Sequence, residues 1–161
     1  MELSTQIATA KSKVERASSG LLKTFAAVPD DKLAWSPSET SRSSLWIVGH
    51  CAGANQAFAR GMRGEAFPPL SLPEFEQMVW ETGKGTKTRE EAMSAFESST
   101  AAVIAELDAM TPERTASMID SPFGPIPMAL WITFAGDHMM GHLSQIEYLQ
   151  TTWGDRKNHT M

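Results

Sequence analysis

The chain has 161 residues, which is enough for one domain with a substantial core but too few for two. Its formal net charge is −5 and its basic residues form no cluster, so the sequence argues against a nucleic-acid-binding protein. It has no apolar run of transmembrane length, no apolar signal-peptide core near its N-terminus, and a single cysteine, Cys51, which cannot form an internal disulfide. We therefore expect a cytoplasmic protein without an export signal or a membrane partner.

The first predicted element is an amphipathic helix. Apolar residues recur at spacings of three and four across residues 3–28, with charged residues between them. The loop that follows contains Pro29, Pro37 and many Ser, Thr and Asp residues, which interrupt the periodicity. Either Ser43 or Ser44 is expected to cap the next helix.

The second helix is predicted from about residue 44 to Gly61, and we expect it to be buried on nearly every side. Between Leu45 and Ala54, every residue is apolar or small except His50. Small side chains should let a neighbouring helix approach closely, and they are Gly49, Ala52, Gly53 and Ala54. After Gly61, a Pro-rich connection leads to a short helix predicted within "EFEQMVWETG".

Two further elements complete the helical pattern. A third long helix is predicted at about 88–110, with Arg89 and its glutamate neighbours facing solvent, and Pro112 ends it. The stretch "SPFGPIPMALW" then predicts a turn or a short extended pair. The fourth helix is expected to begin near Pro127 and to close at Trp153–Gly154.

Four long helical patterns without a convincing alternating run predict an all-α fold, an antiparallel four-helix bundle. The connection at 61–86 is too long for a simple hairpin, so it is predicted to be a crossover across the end of the bundle. We expect the bundle to occupy residues 1–154 and a polar C-terminal tail to occupy 155–161.

The histidines carry the strongest functional signal. His138 and His142 lie four residues apart, so both rings share one face of the fourth helix, and His50 is the one polar side chain within an apolar stretch of the second. His159 lies in the polar tail. Three buried imidazoles on two helices predict a divalent metal site with open positions for water or substrate. Neutral imidazole suits zinc, nickel, iron or copper, and zinc or nickel is preferred.

Other interpretations stay open. Core histidines are commonly satisfied by a backbone carbonyl or by water. Cys51 lies about 100° around the helix from His50, so a small buried filler is the better interpretation of it than a ligand. Asp137 lies one position off the ligand face and Glu147 lies further round, so neither is a clear fourth ligand or general base, although a direct role stays open. A solvated carboxylate, or one that contacts a ligand, is the better interpretation of each. Three tryptophans could line a pocket, although packing at the end of the bundle is the better interpretation of them. They are Trp35, Trp46 and Trp131.

Three motifs together resemble the DinB-like superfamily, also called the DinB/YfiT-like metalloenzymes. They are "LAWSPSETSRSS", "LWIVGHCAGAN" and "DHMMGHLSQIEYL". The resemblance implies a four-helix bundle whose metal ligands are His50, His138 and His142, with Gln145 of "HLSQ" near the site. Asp137 is a further candidate near the ligands because it directly precedes His138 in the sequence. It also implies a relation to transferases and isomerases that use a low-molecular-weight thiol such as mycothiol or bacillithiol.

The functional hypothesis is therefore a metal-dependent enzyme acting on a small molecule, a thiol-dependent S-transferase or isomerase. One alternative is a non-catalytic, stress-related binding protein with a structural metal or none. Another is a metal-dependent hydrolase. A homodimer is also predicted, because members of the superfamily are often dimers and because three apolar residues fall off the ligand face of the fourth helix, namely Ile132, Met139 and Ile146.

Overall fold

The computed structural model describes residues 2–121 and 123–160, and these form a mostly helical protein. The α-helices of the described chain are α1 (Leu3–Ala26), α2 (Ser44–Met62), α3 (Leu72–Thr82), α4 (Arg89–Asp108), α5 (Pro112–Thr115) and α6 (Met128–Thr152). A 3₁₀ turn at Asp30–Lys32 and an antiparallel hairpin of β1 (Met118–Ser121) and β2 (Gly124–Pro127) complete the order of described elements. The four-helix bundle, the short helix and the short extended pair are thus confirmed.

The helix ends follow the local sequence signals. The Ser43 hydroxyl accepts a hydrogen bond from the Trp46 amide at 3.2 Å, which confirms the predicted cap of α2. Thr88 caps α4 in the same way. Helix α6 ends before Gly154, whose φ of +92° is a conformation that glycine adopts without strain.

The long helices form a ring in which α1 packs on α4 and α6, and α2 packs on the same two helices. Contacts between α2 and α6 run in opposite directions along the two helices, as His50 meets His142 while Gly61 meets Trp131. These two helices are therefore antiparallel, and they carry all three histidines of the predicted site.

Two neighbouring pairs are parallel instead, so the expectation of a fully antiparallel bundle is wrong for them. Along α1 and α6, Lys13 pairs with Asp137 and, farther on, Thr24 accepts from Gln150. Along α2 and α4, Asn55 contacts Thr100 and, farther on, Arg63 pairs with Glu106. The connection was expected to cross the end of the bundle, but it returns through α3 along the side of α2, where Gly53 of α2 meets Thr82 at the end of α3. Helix α4 therefore begins at the same end of the bundle as α2 and runs in the same direction.

The crossover helix α3 packs against the small residues of α2. A Cβ atom on Gly53 would lie 3.1 Å from the Thr82 Cβ, and one on Gly49 would lie 2.6 Å from the Thr86 hydroxyl. The predicted close approach is therefore real, but the partner is the end of α3 and the loop after it. This contact places Thr82 beside His50.

Arg89 also departs from its predicted position. Its guanidinium donates hydrogen bonds to the carbonyls of Phe25 and Val28 at the end of α1, and it pairs with Asp30. A cation satisfies the free carbonyls that a helix C-terminus presents. Arg89 thus connects α1 to α4 and does not face solvent freely.

The three apolar residues that motivated a dimer are buried within the single chain. Ile132 is 1% exposed, and Met139 and Ile146 are fully buried. They complete the core between the helices, so this argument for a homodimer is wrong, although the dimer itself stays a prediction.

The tail beyond residue 154 contacts the bundle, since Lys23 donates to the Thr160 carbonyl. The predicted domain boundary stays a prediction, and residues 1, 122 and 161 of the predicted elements lie outside the described ranges. Among residues 2–121 and 123–160, no helix is both long and apolar enough to cross a bilayer.

Candidate metal centre

The three predicted ligands meet at one point between α2 and α6. The Nε2 atom of His138 lies 3.1 Å from Nε2 of His50 and 3.2 Å from Nε2 of His142. One ring nitrogen from each residue falls within 4.8 Å of the other two. Two ligands come from neighbouring turns of α6 and the third from the antiparallel helix beside it, so backbone packing alone brings the rings together.

Burial keeps these imidazoles neutral at physiological pH. His50 is 6% exposed and His142 is 7% exposed. Burial, followed by the charges of His142 and Arg42, lowers the pKa of His50 to about 4. Burial and the neighbouring histidines lower the pKa of His138 to about 3, and burial also lowers the pKa of His142. Neutral imidazole is the form that binds a metal ion.

Hydrogen bonds on the outer nitrogens favour one tautomer of two rings. Gln145 Oε1 accepts from Nδ1 of His142 at 2.9 Å. The Thr82 hydroxyl donates to the Val79 carbonyl at 2.7 Å, so it accepts from Nδ1 of His50 at 3.2 Å. Each Nδ1 therefore carries the proton, and the Nε2 lone pair faces the centre of the cluster.

This arrangement suits a cation. Nε2 of His138 faces the lone pairs on Nε2 of His50 and Nε2 of His142. A single proton on Nε2 of His138 would form a hydrogen bond with only one of these two atoms. Nδ1 of His138 is buried and has no hydrogen-bond partner among the described atoms. Three converging nitrogen lone pairs match the ligand set of a zinc or nickel ion, so the residues present fit a divalent metal.

Trp46 supports the site in a way that the sequence analysis missed. Its ring stacks on His50 with centroids 4.8 Å apart and planes 14° apart. The indole Nε1 donates to the Trp80 carbonyl at 3.1 Å, and the Arg42 guanidinium lies 4.5 Å from the Trp46 ring. The four-residue spacing of Trp46 and His50 on one helix was the available signal.

The remaining candidates lie off the cluster. Asp137 pairs with Lys13 at 2.8 Å and its side chain is 57% exposed. Cys51 is fully buried, and burial raises the pKa of its thiol. Among the residues that the structure describes, the group able to hold a metal consists of the three histidines. Trp35 packs edge-on against Trp153, as expected for packing between elements.

A cavity of about 620 Å³ opens beside the cluster, between α2, α3, α6 and the hairpin. His50 and His138 form part of its wall, together with Thr82 and Trp131. Trp131 was predicted either to line a pocket or to pack, and it does both, since its indole also donates to the Phe58 carbonyl. The contributions of α3 and the preceding loop were not predicted, because their path over α2 is not encoded in a local pattern.

The chain was compared with protein families and with solved structures. The family model for the DinB superfamily matches residues 13–146. The fold is similar to that of a DinB-like protein from Bacillus subtilis, with a TM-score of 0.68, 17% identity, and coverage of 93% of this chain and 95% of the other. It is also similar to TT2238, a four-helix bundle protein, with a TM-score of 0.67, 18% identity, and coverage of 88% and 98%.

None of the curated proteins compared with the chain matches it. The family match runs from within α1 to within α6, covers α2 and α4 completely, and includes His50, His138 and His142. The chain belongs to the DinB superfamily.

Proposed function

We propose that this protein is a metal-dependent enzyme in which His50, His138 and His142 hold one divalent ion, zinc or nickel. One observation carries the proposal: two of the three histidines also form the wall of a cavity large enough for a small molecule. A structural metal site is closed by protein ligands, whereas a catalytic one keeps a position open toward substrate. Three ligands beside a cavity favour the catalytic arrangement.

The chain's own residues have separate roles in this proposal. Gln145 and Thr82 hold the rings of His142 and His50 in the ligating tautomer. Trp46 keeps the His50 ring in its orientation. A divalent ion bound there would lower the pKa of a coordinated thiol or water, so that a nucleophile forms at neutral pH.

A low-molecular-weight thiol is the proposed co-substrate, and the reaction is S-transfer or a thiol-dependent isomerisation. Two carboxylates line the cavity, and each is ion-paired: Asp137 pairs with Lys13, and Glu65 pairs with Arg60 and Arg63. Among the described residues that line the cavity, no carboxylate is therefore left unpaired to act as a general base. A thiol has a pKa of about 8.5 and needs less help from a base than water. In transfer, sulfur bonds to an electrophilic carbon, the leaving group departs with the bonding electrons, and the thiol proton passes to solvent.

Metal binding is tested first, on protein purified without a histidine tag. Elemental analysis and calorimetric titration with zinc and with nickel should give one ion per chain. The His159→Ala variant is the matched control, because His159 pairs with Asp155 in the tail and not with the cluster. A substoichiometric metal content after incubation with both ions would remove the metalloenzyme proposal.

Activity is tested next, with bacillithiol, mycothiol and glutathione against aryl halide and epoxide electrophiles. Metal-dependent consumption of one thiol supports the transferase. Metal-dependent cleavage of ester or amide substrates without a thiol would favour a hydrolase instead. Stoichiometric metal without either activity would favour a non-catalytic binding protein. We also propose a cytoplasmic location, which the single buried Cys51 supports.

A further inference from the structure

The cavity beside the histidines has a largely aromatic lining. Phe58, Phe67, Trp131 and Phe134 form what we call the aromatic wall, and Trp131 lies 5.5 Å from each of the other three, measured between ring centroids. The wall continues to the metal site, since the Phe58 and His138 rings are 5.6 Å apart. All four wall residues and His138 line the cavity. Edge-to-face and offset contacts of this kind readily accept a further aromatic ring.

The charged side chains that line the cavity are already paired. Arg60 Nε lies 2.8 Å from a carboxylate oxygen of Glu65, and Asp137 lies 2.8 Å from Lys13. The Thr82 hydroxyl is engaged by the Val79 carbonyl and His50. Away from the three histidines, then, no charge among the described lining residues is left without a partner to receive a charged group of a ligand. Burying an ion against the aromatic wall would leave it uncompensated, at a large cost in free energy.

We propose that this cavity binds a neutral, largely apolar substrate with an aromatic ring, which packs on the aromatic wall and presents its reacting atom to His50 and His138. The inference rests on the proposed function for its catalytic meaning. The volume of about 620 Å³ lies within the range of small-molecule sites and exceeds that of one or two fused rings. The charged portion of any thiol co-substrate must then lie outside the aromatic wall.

A pair of dyes tests the proposal on the full, metal-free chain without requiring turnover. N-phenyl-1-naphthylamine is neutral and fluoresces in apolar surroundings, and 8-anilinonaphthalene-1-sulfonate has the same ring system with one sulfonate. The neutral dye should bind one per chain and about tenfold or more tightly than the sulfonate, because the cavity offers that anion no partner. Equal affinity for both dyes would overturn the inference.

Competition with the neutral dye tests whether the cavity prefers a positively charged ligand. Phenyltrimethylammonium and tert-butylbenzene have nearly the same shape, and they differ by one positive charge. The neutral compound should displace N-phenyl-1-naphthylamine at lower concentration than the cation. Displacement by the cation at equal or lower concentration would show that the aromatic wall is a cation site, and it would overturn the proposal of a neutral substrate.

Variants locate the dye within the cavity. Ala57→Phe fills space in the lining and should weaken binding of the neutral dye about tenfold or more. Ala105→Phe is the matched control, since Ala105 is exposed on α4 and should leave binding unchanged. If Ala57→Phe does not fold, Phe134→Ser serves instead, because it replaces one ring of the wall by a hydroxyl. Unchanged binding in a folded variant at either position would contradict the assignment.

A zinc titration of the same samples separates this inference from the proposed function. Selective binding of the neutral dye without zinc binding would support the proposed cavity for a neutral ligand and would contradict the proposal of a metalloenzyme. Zinc binding without selective uptake of the neutral dye would leave the metal site and overturn the substrate class.

Discussion

At the scale of single residues, His50 is the proposed ligand on α2, opposite the two proposed ligands on α6. His50→Ala should abolish tight metal binding while the bundle stays folded, because the change removes one of three ligands but little apolar burial. Elemental analysis and circular dichroism measure the two effects separately. Cys51→Ala is the control from the next position, and its metal content should equal that of the wild type. Stoichiometric metal in His50→Ala, or loss of metal in Cys51→Ala, would show that the ligand on α2 is misassigned.

Gln145 provides a second test at this scale. Its side-chain oxygen accepts the Nδ1 proton of His142, so Gln145→Leu removes the group that holds this ring in the ligating tautomer. Zinc affinity should fall about 10- to 100-fold, as is typical for the loss of a hydrogen bond to a ligand. Gln77→Leu, at an exposed position of α3, is the matched control and should bind zinc normally. Equal affinities of the two variants would remove the role of Gln145.

The residues of the site differ in how far the sequence could predict them. His138 and His142 share a helix face by spacing alone, and the apolar surroundings of His50 indicated burial toward the same core. Thr82 could not be predicted, because its hydrogen bond with His50 depends on where the crossover places the end of α3. Trp46 was predictable in principle, since it precedes His50 by one helical turn.

At the scale of elements, the end of α3 holds Trp46 against the proposed metal site. A Cβ atom on Gly83 would lie 2.2 Å from the Trp46 ring, so Gly83→Ala must displace either the ring or the loop. We expect the variant to lose about 1–3 kcal/mol of unfolding free energy, as overpacked cores do, and to bind zinc more weakly. Urea unfolding and zinc calorimetry measure these effects.

Gly85→Ala is the control for that prediction, from the same loop. A Cβ atom there would lie 3.6 Å from the Thr82 carbonyl oxygen, which is an ordinary contact. Its stability and zinc affinity should match those of the wild type. If Gly83→Ala behaved like Gly85→Ala, the packing of Trp46 would not support the site.

Helix existence was predictable here and helix direction was not. The apolar periods locate α1, α2, α4 and α6 because each buries one face or more in a common core. Whether α4 runs along or against α2 depends on the route of residues 63–88, and loop composition does not specify that route. The parallel pairing of α2 with α4 follows from the return of the chain through α3.

At the scale of the whole molecule, buried neutral histidines make the metal-free protein sensitive to acid. The folded-state pKa values of His50 and His138, about 4 and about 3, lie below the ordinary value of 6.5. Between those values the unfolded chain binds more protons than the folded one, so stability must fall as pH decreases from about 6.5 toward 4. Urea unfolding of metal-free protein at several pH values should show this loss. A His50→Gln, His138→Gln double variant should lose less stability over the upper part of that range, and an identical slope would contradict the assignment.

The predicted homodimer is tested at the same scale. Its original support is reduced, because Ile132, Met139 and Ile146 are buried in one chain, but Leu130 and Tyr148 of α6 remain exposed at 50% and 69%. Light scattering at micromolar concentration should give twice the 17.6 kDa of one chain. A mass that stays near one chain on concentration would rule the dimer out.

The central claim is that three imidazoles, and no sulfur, hold a single metal ion in this bundle. X-ray absorption spectroscopy of the zinc-loaded protein tests it most directly, because the spectrum distinguishes imidazole nitrogen from sulfur and estimates the number of imidazole rings. We predict three imidazole nitrogens at about 2.0–2.1 Å with the remaining coordination from oxygen. A sulfur neighbour at about 2.3 Å, or fewer than three imidazole rings, would contradict the assignment of His50, His138 and His142 as the metal site.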